Sequence, residues 1–328
     1  MAQPPIIFDR TTGVMTGASP WERTIGLALL VGSKVGAHIY HRGYNTAANT
    51  LKKLLPTRDI NVMLNDDAAF SFPYGDGYWS KLLNRTFLYE EELELLLLDS
   101  KDVDYTLIDC GANYGYWSVM VSSKRFGSHK SIAIEPSSRN FPRLAHNAKI
   151  NGDRFLPINA AIGSARGRAN LSGNRHEAFS IAGAPDASGE MVDVLALDNL
   201  IEDGKIPTKG KYLIKLDVEG VEIEAMKGGA LISQTDSVFI CEEHGNDPTH
   251  AVSRFILNET PMKAIIHDPV ADRFEELTDL AALDRIKTLS HIGYNVFATS
   301  SAFWQERIYG LNSGAARRAM QSAMTKTN

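Results

Sequence analysis

The sequence predicts an α/β fold built on a parallel sheet, and two observations lead to that prediction. Residues 105–121 contain a short apolar run, a turn with two glycines and a second apolar run that starts a helix, which is the first half of a βαβ unit. After this segment, strand-like and helix-like stretches alternate, as parallel sheets require. The chain has 328 residues, enough for one large α/β domain with extensions or for two small domains.

Composition and charge narrow the class of protein. Hydrophobic residues make up 44% and charged residues 22%, as in soluble globular proteins. The net charge of −5 gives no electrostatic reason to expect a nucleic-acid partner. Cys110 and Cys241 lie in apolar strand-like runs, so we expect buried thiols and a reducing, cytoplasmic location. Met1–Pro5 lacks the basic and apolar regions of a signal peptide.

The N-terminal part reads as an extension of helices and a hairpin. Residues 1–20 are rich in proline, glycine and threonine, which favours an irregular arm. Residues 21–55 read as one or two helices that end at Pro56. Segments 60–64 and 69–72 flank an Asn-Asp-Asp turn, which predicts a hairpin.

The stretch Ile25–Tyr40 is apolar but too short to span a bilayer with confidence. We expect a buried or oligomer-facing helix, which would allow a homo-oligomer, with contact to a membrane surface as the alternative. The predicted organisation is an extension at 1–75, a central domain at 76–300 and a tail at 301–328.

The glycine turn indicates the kind of ligand. Asp109 ends the strand, and Gly111, Ala112, Asn113 and Gly115 follow. The dinucleotide fingerprint needs three glycines, and position 113 is not glycine, so a pyrophosphate binder is disfavoured. An acid at the strand end suits a cationic ligand without phosphate, and S-adenosylmethionine fits that description.

Three segments carry a resemblance to a known family. Ile108–Tyr116 resembles the first motif of class I S-adenosylmethionine-dependent methyltransferases, and its residues are similar to those of the FkbM family. Tyr212–Glu222 resembles the K-x-D-x-E-G-x-E segment of that family and is the most specific match. Ser237–His244 resembles its fifth strand, which ends in E-x-H. The resemblance covers about residues 75–300.

The resemblance implies a Rossmann-like fold with a mostly parallel seven-stranded sheet and helices on both faces. Segments 262–269 and 295–299 would be the closing sixth and seventh strands, joined by a charged helical linker at 274–290. Residues 163–193 read as a small antiparallel excursion or a flexible loop. A short strand at 192–197 and a helix from Asp198 would follow.

Several residues are candidates for binding the cofactor. Glu135 ends the second strand about 20 residues beyond the glycine turn, where a carboxylate can accept from ribose hydroxyls, and Pro136 follows it. By resemblance, Asn159 and Ala161 would lie near the adenine. Tyr78 would lie on an aromatic loop that covers the cofactor, unless it only covers the sheet edge.

The catalytic candidates are acids and one histidine at strand ends. Asp217 and Glu219 would hold the cationic end of the cofactor or orient an acceptor hydroxyl, although either could instead cap the next helix. Glu242 and His244 share a face, and the imidazole could take a proton from a hydroxyl or be an ordinary packed residue. A divalent metal held by Asp217, Glu242 and His244 is the less favoured reading.

The sequence therefore predicts an S-adenosylmethionine-dependent methyltransferase that acts on a hydroxyl of a sugar, glycan or secondary metabolite. The expected partner is a small-molecule or glycan acceptor, with no nucleic acid and no membrane span. One rival is an NAD or nucleotide-sugar enzyme of the same fold. The other is a non-catalytic scaffold that keeps the fold, because fold alone does not guarantee activity.

Overall fold

The computed structural model describes residues 3–175, 178–182, 189–290 and 292–314. Its strands, numbered in chain order, are β1 (Ile6–Asp9), β2 (Met15–Thr16), β3 (Asp59–Asn65), β4 (Ala68–Pro73), β5 (Thr106–Cys110), β6 (Lys130–Ile134), β7 (Leu156–Ile158), β8 (Ala161–Ile162), β9 (Gly167–Arg175), β10 (Ala178–Ala182), β11 (Glu190–Leu195), β12 (Lys211–Leu216), β13 (Asp236–His244), β14 (Lys263–Asp268), β15 (Arg273–Glu276) and β16 (Gly293–Thr299). Its α-helices are α1 (Pro20–Ala37), α2 (Tyr44–Lys52), α3 (Glu91–Asp99), α4 (Tyr116–Val121), α5 (Phe141–Ile150), α6 (Asp198–Glu202), α7 (Glu222–Lys227), α8 (Ala251–Glu259), α9 (Ala281–Ile286) and α10 (Ala302–Gly310).

The largest sheet has the order β15-β14-β16-β13-β12-β5-β6-β7. The half from β13 to β7 is parallel, and β16, β14 and β15 are antiparallel. The expected α/β fold is confirmed, but within the described residues this sheet has eight strands where we expected seven. The additional strand is β15, which overlaps the start of the segment predicted to be a helical linker. Phe274 is buried in it and neighbours charged residues, which is strand alternation that a helical reading overlooks.

The order of the parallel strands creates a crevice. The chain passes from β5 to β6 on one side and later returns to β12 on the other side of β5. Ligands in open α/β sheets bind outside the carboxyl ends of strands at such a reversal. Asp109, Glu135 and Asp217 lie at these carboxyl ends, so the topology gathers them at one edge.

The N-terminal part contains a second sheet of order β2-β1-β3-β4. The predicted hairpin is confirmed as β3 and β4, and the predicted helices as α1 and α2. The irregular arm was a wrong prediction, because β1 pairs in parallel with β3 and turns Ile6 and Phe8 into the core. Ser19 and Glu22 form a capping box at the start of α1.

The N-terminal sheet contacts α4 and α5 through β4, and one apolar core includes residues of both sheets, such as Phe70 and Leu213. Two amide side chains, one in α5 and one at its C-cap, also bind the backbone of β4, at the edge of the N-terminal sheet. Asn147 accepts from Ser71 N (2.7 Å) and donates to its carbonyl (3.1 Å). Asn151 does the same with Ala69, at 3.0 and 2.7 Å.

A third sheet has the order β10-β9-β11-β8 and confirms the antiparallel excursion expected at 163–193. Part of that segment, at 176–177 and 183–188, lies outside the described residues, as does the tail from 315. Helix α6 begins at Asp198 as expected. Cys110 and Cys241 are buried free thiols, also as expected. In the part of the chain that the structure describes, no helix has the length and apolarity to cross a membrane.

Candidate active site

Two cavities meet at the carboxyl end of β12. We call the first the strand-end cavity; its walls include Asp109, Gly111, Asn113, Glu135, Lys215 and Val218. We call the second the acidic cleft; its walls include Asn45, Lys81, Glu90, Glu92, Glu242 and Asn295. Tyr78, Tyr89, Asp217 and Glu219 line both. The predicted residues Ala112, Pro136 and Ala161 line the strand-end cavity.

The glycine turn after β5 lies directly against the end of β12. Gly111 has φ +77°, and a Cβ there would lie 1.8 Å from the carbonyl oxygen of Asp217. Only glycine satisfies both the backbone conformation and this close approach. Asn113 also has a positive φ, +52°, and its N–H donates to Glu135 Oε2 at 2.9 Å. The turn therefore ties the ends of β5, β6 and β12 together.

Glu135 is 4% exposed, and donors on the protein hold its carboxyl group. Besides Asn113, Ser137 N donates to Oε1 at 3.1 Å and Asn140 Nδ2 at 3.3 Å. Burial outweighs these bonds and raises the pKa of Glu135 to about 7. A buried carboxyl group so placed gains from a ligand that brings further hydrogen-bond donors, as two hydroxyls would.

Asp109 is also buried, and Ser118 Oγ donates to its Oδ2 at 2.9 Å. Burial raises the pKa of Asp109 to about 6, although the ammonium group of Lys215 opposes the rise. Lys215 lies directly opposite Asp109 in the pairing of β12 with β5.

Lys215 is a site residue that the sequence prediction missed. Its ammonium group lies 2.8 Å from Asp217 Oδ2 and 3.5 Å from Glu90 Oε1, and its side chain is 4% exposed. Burial alone would lower the pKa of Lys215, but Asp217, Glu90 and Asp109 raise it well above its usual range. The available signal was a lysine inside the apolar strand Tyr-Leu-Ile-Lys-Leu, because a buried lysine needs carboxylate partners.

Asp217 and Glu242 form a carboxyl pair between the two cavities. Burial would raise the pKa of Asp217, but Lys215 and a hydrogen bond with Glu242 hold it below its usual value. Burial and the neighbouring Asp217 charge raise the pKa of Glu242 well above its own. Of the two carboxyl groups, Glu242 is therefore the one that holds a proton more tightly. Gly293 makes room for it, since a Cβ there would lie 1.5 Å from Glu242 Oε1.

The loop after β12 is held by an acid that the prediction left unassigned. Glu222 accepts from Gly220 N at 3.1 Å and from Val218 N at 3.3 Å. Glu219 has φ +54°, an uncommon conformation outside glycine, and so points into the junction of the cavities. Helix α7 begins at Glu222 without a side-chain cap, so the capping alternative for Asp217 and Glu219 is wrong.

Three predicted residues lie outside the lining of both cavities. Gly115 has φ +86° and packs against Leu144 of α5, so its role in the structure is the turn and helix packing. Asn159 Nδ2 donates to the carbonyls of Glu135 and Pro136, at 2.8 and 3.1 Å, and so holds the end of β6. The imidazole of His244 lies 3.9 Å from Glu222 Oε1.

Aromatic side chains line the strand-end cavity: Tyr78, Trp79, Tyr89, Tyr116 and Trp117. Of these, only Tyr78 was predicted to bind the cofactor. The hydroxyl groups of Tyr78 and Tyr89 are hydrogen-bonded to each other at 2.9 Å. Trp79 Nε1 donates to Asn113 Oδ1 at 3.3 Å. Trp117 Nε1 donates to Glu90 Oε2 at 2.5 Å. The free volume is about 80 Å³, below the roughly 300 Å³ at the lower end for small-molecule sites. Entry of a ligand therefore requires these aromatic side chains to move.

The acidic cleft is larger, with a free volume of about 720 Å³. Six carboxyl side chains line it, against Lys81 and two histidines, His41 and His267. The acids are Glu90, Glu91, Glu92, Asp217, Glu219 and Glu242. Among the described residues, no group of three or more His, Cys, Asp or Glu is arranged to hold a metal ion.

The strand order and the glycine turn define a Rossmann-like α/β fold, and the acids on neighbouring strand ends mark a candidate ligand site at the reversal. Residues 109–261 match the sequence model of the methyltransferase FkbM domain. This match, over a little less than half of the chain, confirms the resemblance to the FkbM family seen in the sequence.

Among characterised proteins, the chain is similar to the hexuronic acid methyltransferase AglP of Haloferax volcanii. The two are 28% identical over 160 residues, which is 48% of this chain and 64% of that protein. The match thus spans less than two thirds of the relative.

Two solved structures show weaker likeness. A methyltransferase FkbM from Methylobacillus flagellatus is 19% identical with a TM-score of 0.39, covering 60% of this chain and 43% of that one. An O-methyltransferase from Bacillus cereus, in complex with SAH, is 12% identical with a TM-score of 0.37, covering 65% and 83%. At these scores neither structure defines the chemistry of this chain.

Proposed function

We propose that this protein is an S-adenosylmethionine-dependent O-methyltransferase that acts on a hydroxyl of a sugar or a similar polyhydroxylated metabolite. S-adenosylmethionine would bind in the strand-end cavity and the acceptor in the acidic cleft. The observation that carries the proposal is the shared wall at Asp217 and Glu219, because methyl transfer needs donor and acceptor to meet at one point.

The residues of the strand-end cavity fit this cofactor. Glu135 would accept from both ribose hydroxyls, which supply the donors that its buried carboxyl group gains from. Asp109, Asp217 and Glu219 would surround the cationic end, where the amino group and sulfonium carry positive charge. Bare backbone at Gly111 would let the cofactor approach the turn closely.

The cofactor, when bound, supplies a methyl group already activated by the sulfonium. The task of the chain is to orient the acceptor and to receive its proton. Asp217 stays ionised because Lys215 pairs with it, so it would hold the acceptor hydroxyl by a hydrogen bond. Glu242, whose raised pKa favours its protonated form, would donate to a neighbouring acceptor oxygen. Glu219, at the junction, would take the proton.

Two observations support a class of acceptor. The similarity to a hexuronic acid methyltransferase supports a sugar-like acceptor. The excess of carboxyl groups in the cleft, however, favours a neutral or cationic polyol over a uronate, because like charges repel at short range. The proposed location is the cytoplasm, where buried free thiols such as Cys110 and Cys241 are stable.

Calorimetry with S-adenosylmethionine tests cofactor binding, with NAD titrated in parallel. We expect heat and a thermal shift with S-adenosylmethionine alone, together with a change in tryptophan emission, since Trp79 and Trp117 line the cavity. Binding of NAD instead would support the rival dehydrogenase class.

Transfer itself is tested with methyl-labelled cofactor and a panel of neutral sugars, amino sugars and uronates. We expect label on a neutral or amino sugar. Tight cofactor binding with no transfer to the panel or to a metabolite extract would favour the scaffold reading.

A further inference from the structure

Helix α1 carries an apolar face that no described residue covers. Its inner side buries Ile25 and Leu29 against the N-terminal core. On its outer side Leu27, Val31 and Val35 follow one another at intervals of four residues, which aligns them in a stripe, and they are 60%, 52% and 63% exposed.

Neighbouring side chains widen this stripe into a patch. Together they form the α1 face: Trp21, Leu27, Val31, Val35, Ile39, Tyr40 and Leu54. These are seven of the thirteen exposed large apolar residues in the described part of the chain, so the clustering is not the ordinary scatter of surface apolar groups. Trp21 Nε1 donates to the carbonyl of Leu54 at 3.1 Å, which joins the two ends of the segment.

The charge of the same segment is opposite to that of the whole chain. Residues 23–57 contain five basic residues, Arg23, Lys34, Arg42, Lys52 and Lys53, and no aspartate or glutamate. The formal charge of the segment is therefore +5 in a chain of net charge −5. Lys34 and Arg23 lie beside the apolar stripe on the helix and are exposed.

We propose that the α1 face docks on the surface of a membrane that contains anionic lipids. A helix with an exposed apolar stripe, a tryptophan and flanking basic residues lies in the interfacial plane, with its cations near lipid phosphates. A second copy of the chain suits the face less well. A two-fold contact would place the five cations opposite each other, and the segment has no acid to pair with them.

The docking surface adjoins the acidic cleft. Tyr40 belongs to the α1 face and, with His41 and Asn45, also lines that cleft. A docked protein would therefore present the cleft next to the lipid headgroups. On the proposed function, which this step rests on, the acceptor is a polyhydroxylated group carried by a lipid.

Flotation of the full chain with vesicles tests the docking without any need for activity. One set is pure phosphatidylcholine, and the other is an equal mixture of phosphatidylcholine and phosphatidylglycerol. We expect binding to the mixed vesicles only, weakened at high salt, because screening removes the attraction between cations and headgroups.

Two variants test the two features separately. The combination Leu27→Gln, Val31→Gln and Val35→Gln removes the stripe, and Lys34→Glu with Lys53→Glu reduces the charge. Each should lower the bound fraction by about fivefold or more. A matched control places glutamine at Leu156, Met191 and Leu231, three exposed apolar residues on other elements, and should bind as the parent does.

Circular dichroism melting establishes that each variant is folded before it is used. Absence of parent binding to the mixed vesicles, or equal binding by the stripe variant, would overturn the proposal. Light scattering that shows a dimer abolished by the stripe variant would also overturn it, by assigning the face to a second copy. Vesicle binding with intact cofactor binding but no transfer would contradict only the proposed function.

Discussion

The two cavities that meet at Asp217 are built in different ways. The strand-end cavity takes its polar groups from consecutive βα junctions, where backbone topology decides which residues lie together. The acidic cleft is assembled from side chains of residues 40–45, 78–92, 217–242 and 266–295, which belong to different layers. On the proposed function, the cofactor would therefore occupy a cavity made by the fold, and the acceptor a cleft made by side chains from separate segments.

The largest effect is expected from a substitution in the glycine turn, which forms part of the strand-end cavity. Gly111→Ala should destabilise the protein by roughly 2–5 kcal/mol, since a left-handed residue costs about 1–2 kcal/mol and overpacking about 1–3. It should also abolish binding of S-adenosylmethionine, because the new Cβ would lie 1.8 Å from the Asp217 carbonyl oxygen. Urea denaturation and calorimetry measure both effects.

Gly152→Ala is the matched control for that prediction. Gly152 also has a positive φ, +72°, but a Cβ there would meet nothing within 4 Å. We expect a loss of only about 1–2 kcal/mol from the backbone conformation and unchanged cofactor affinity. Equal losses of stability and of cofactor affinity in the two variants would show that the close approach of residue 111 to the end of β12 contributes to neither.

Replacing one carboxylate should separate binding from stability. Glu135→Gln should weaken S-adenosylmethionine about 100-fold, a loss of about 2.7 kcal/mol, because the ribose loses its acceptor. The unliganded variant should be at least as stable as the parent above neutral pH, since it no longer buries a charge. Calorimetry and thermal melting test this prediction. The control is Glu224→Gln, which changes an exposed glutamate of α7. Unchanged affinity would contradict the ribose role.

A smaller effect is expected from pH. The pKa of Glu135 is about 7 when folded and 4.5 when unperturbed, so its contribution to stability falls as pH rises between these values. Cofactor affinity has the opposite sign, because only the ionised carboxylate accepts both hydroxyls. From about pH 8 to about pH 6 the affinity should drop about tenfold. Titrations at several pH values measure it, and a flat profile would contradict the assignment.

The smallest change concerns the acidic cleft. Gly293→Ala should displace the Glu242 carboxyl group, whose Oε1 lies 1.5 Å from the position of a new Cβ. Since the end of a glutamate side chain can move, we expect a severalfold rise in the KM for the acceptor and unchanged affinity for the cofactor. Gly167→Ala, in a strand position with open space, is the control. A loss of cofactor binding would show that the cavities are not independent.

The sequence predicted the first cavity because its signals are local. Strand, turn and terminal acid lie within a few residues of one another, and parallel topology then brings Asp109, Glu135 and Asp217 to one edge. The same rule brought Ala112, Pro136 and Ala161 to this cavity. It could not separate residues that face the cavity from residues that hold the turn, such as Gly115 and Asn159, because that depends on packing against α5 and β6.

The second cavity could not be predicted as a whole. Glu90 reaches the site through the ammonium group of Lys215 and through Asn295, at 3.3 Å, contacts between residues far apart in the chain. The protonation of Glu242 likewise depends on Asp217, which comes from the neighbouring strand. No pattern of spacing contains such information. The sequence reading of β15 failed for a related reason, since its partner β14 decides its conformation.

The hydrogen bonds that Asn147 and Asn151 make with β4 affect how far the protein can be shortened from its N-terminus. Asn147 and Asn151 complete the open edge of the N-terminal sheet in the way a further strand would. A chain trimmed to begin after residue 75 would lose the backbone groups of Ala69 and Ser71 that these amides bind. The Asn147 oxygen would then lack the donor that Ser71 supplies, whereas the amide nitrogens would keep bonds to the carbonyls of Tyr114 and Asn147. The division at residue 75 remains a prediction, and the leading segment makes hydrogen bonds with the part of the chain that holds the candidate site.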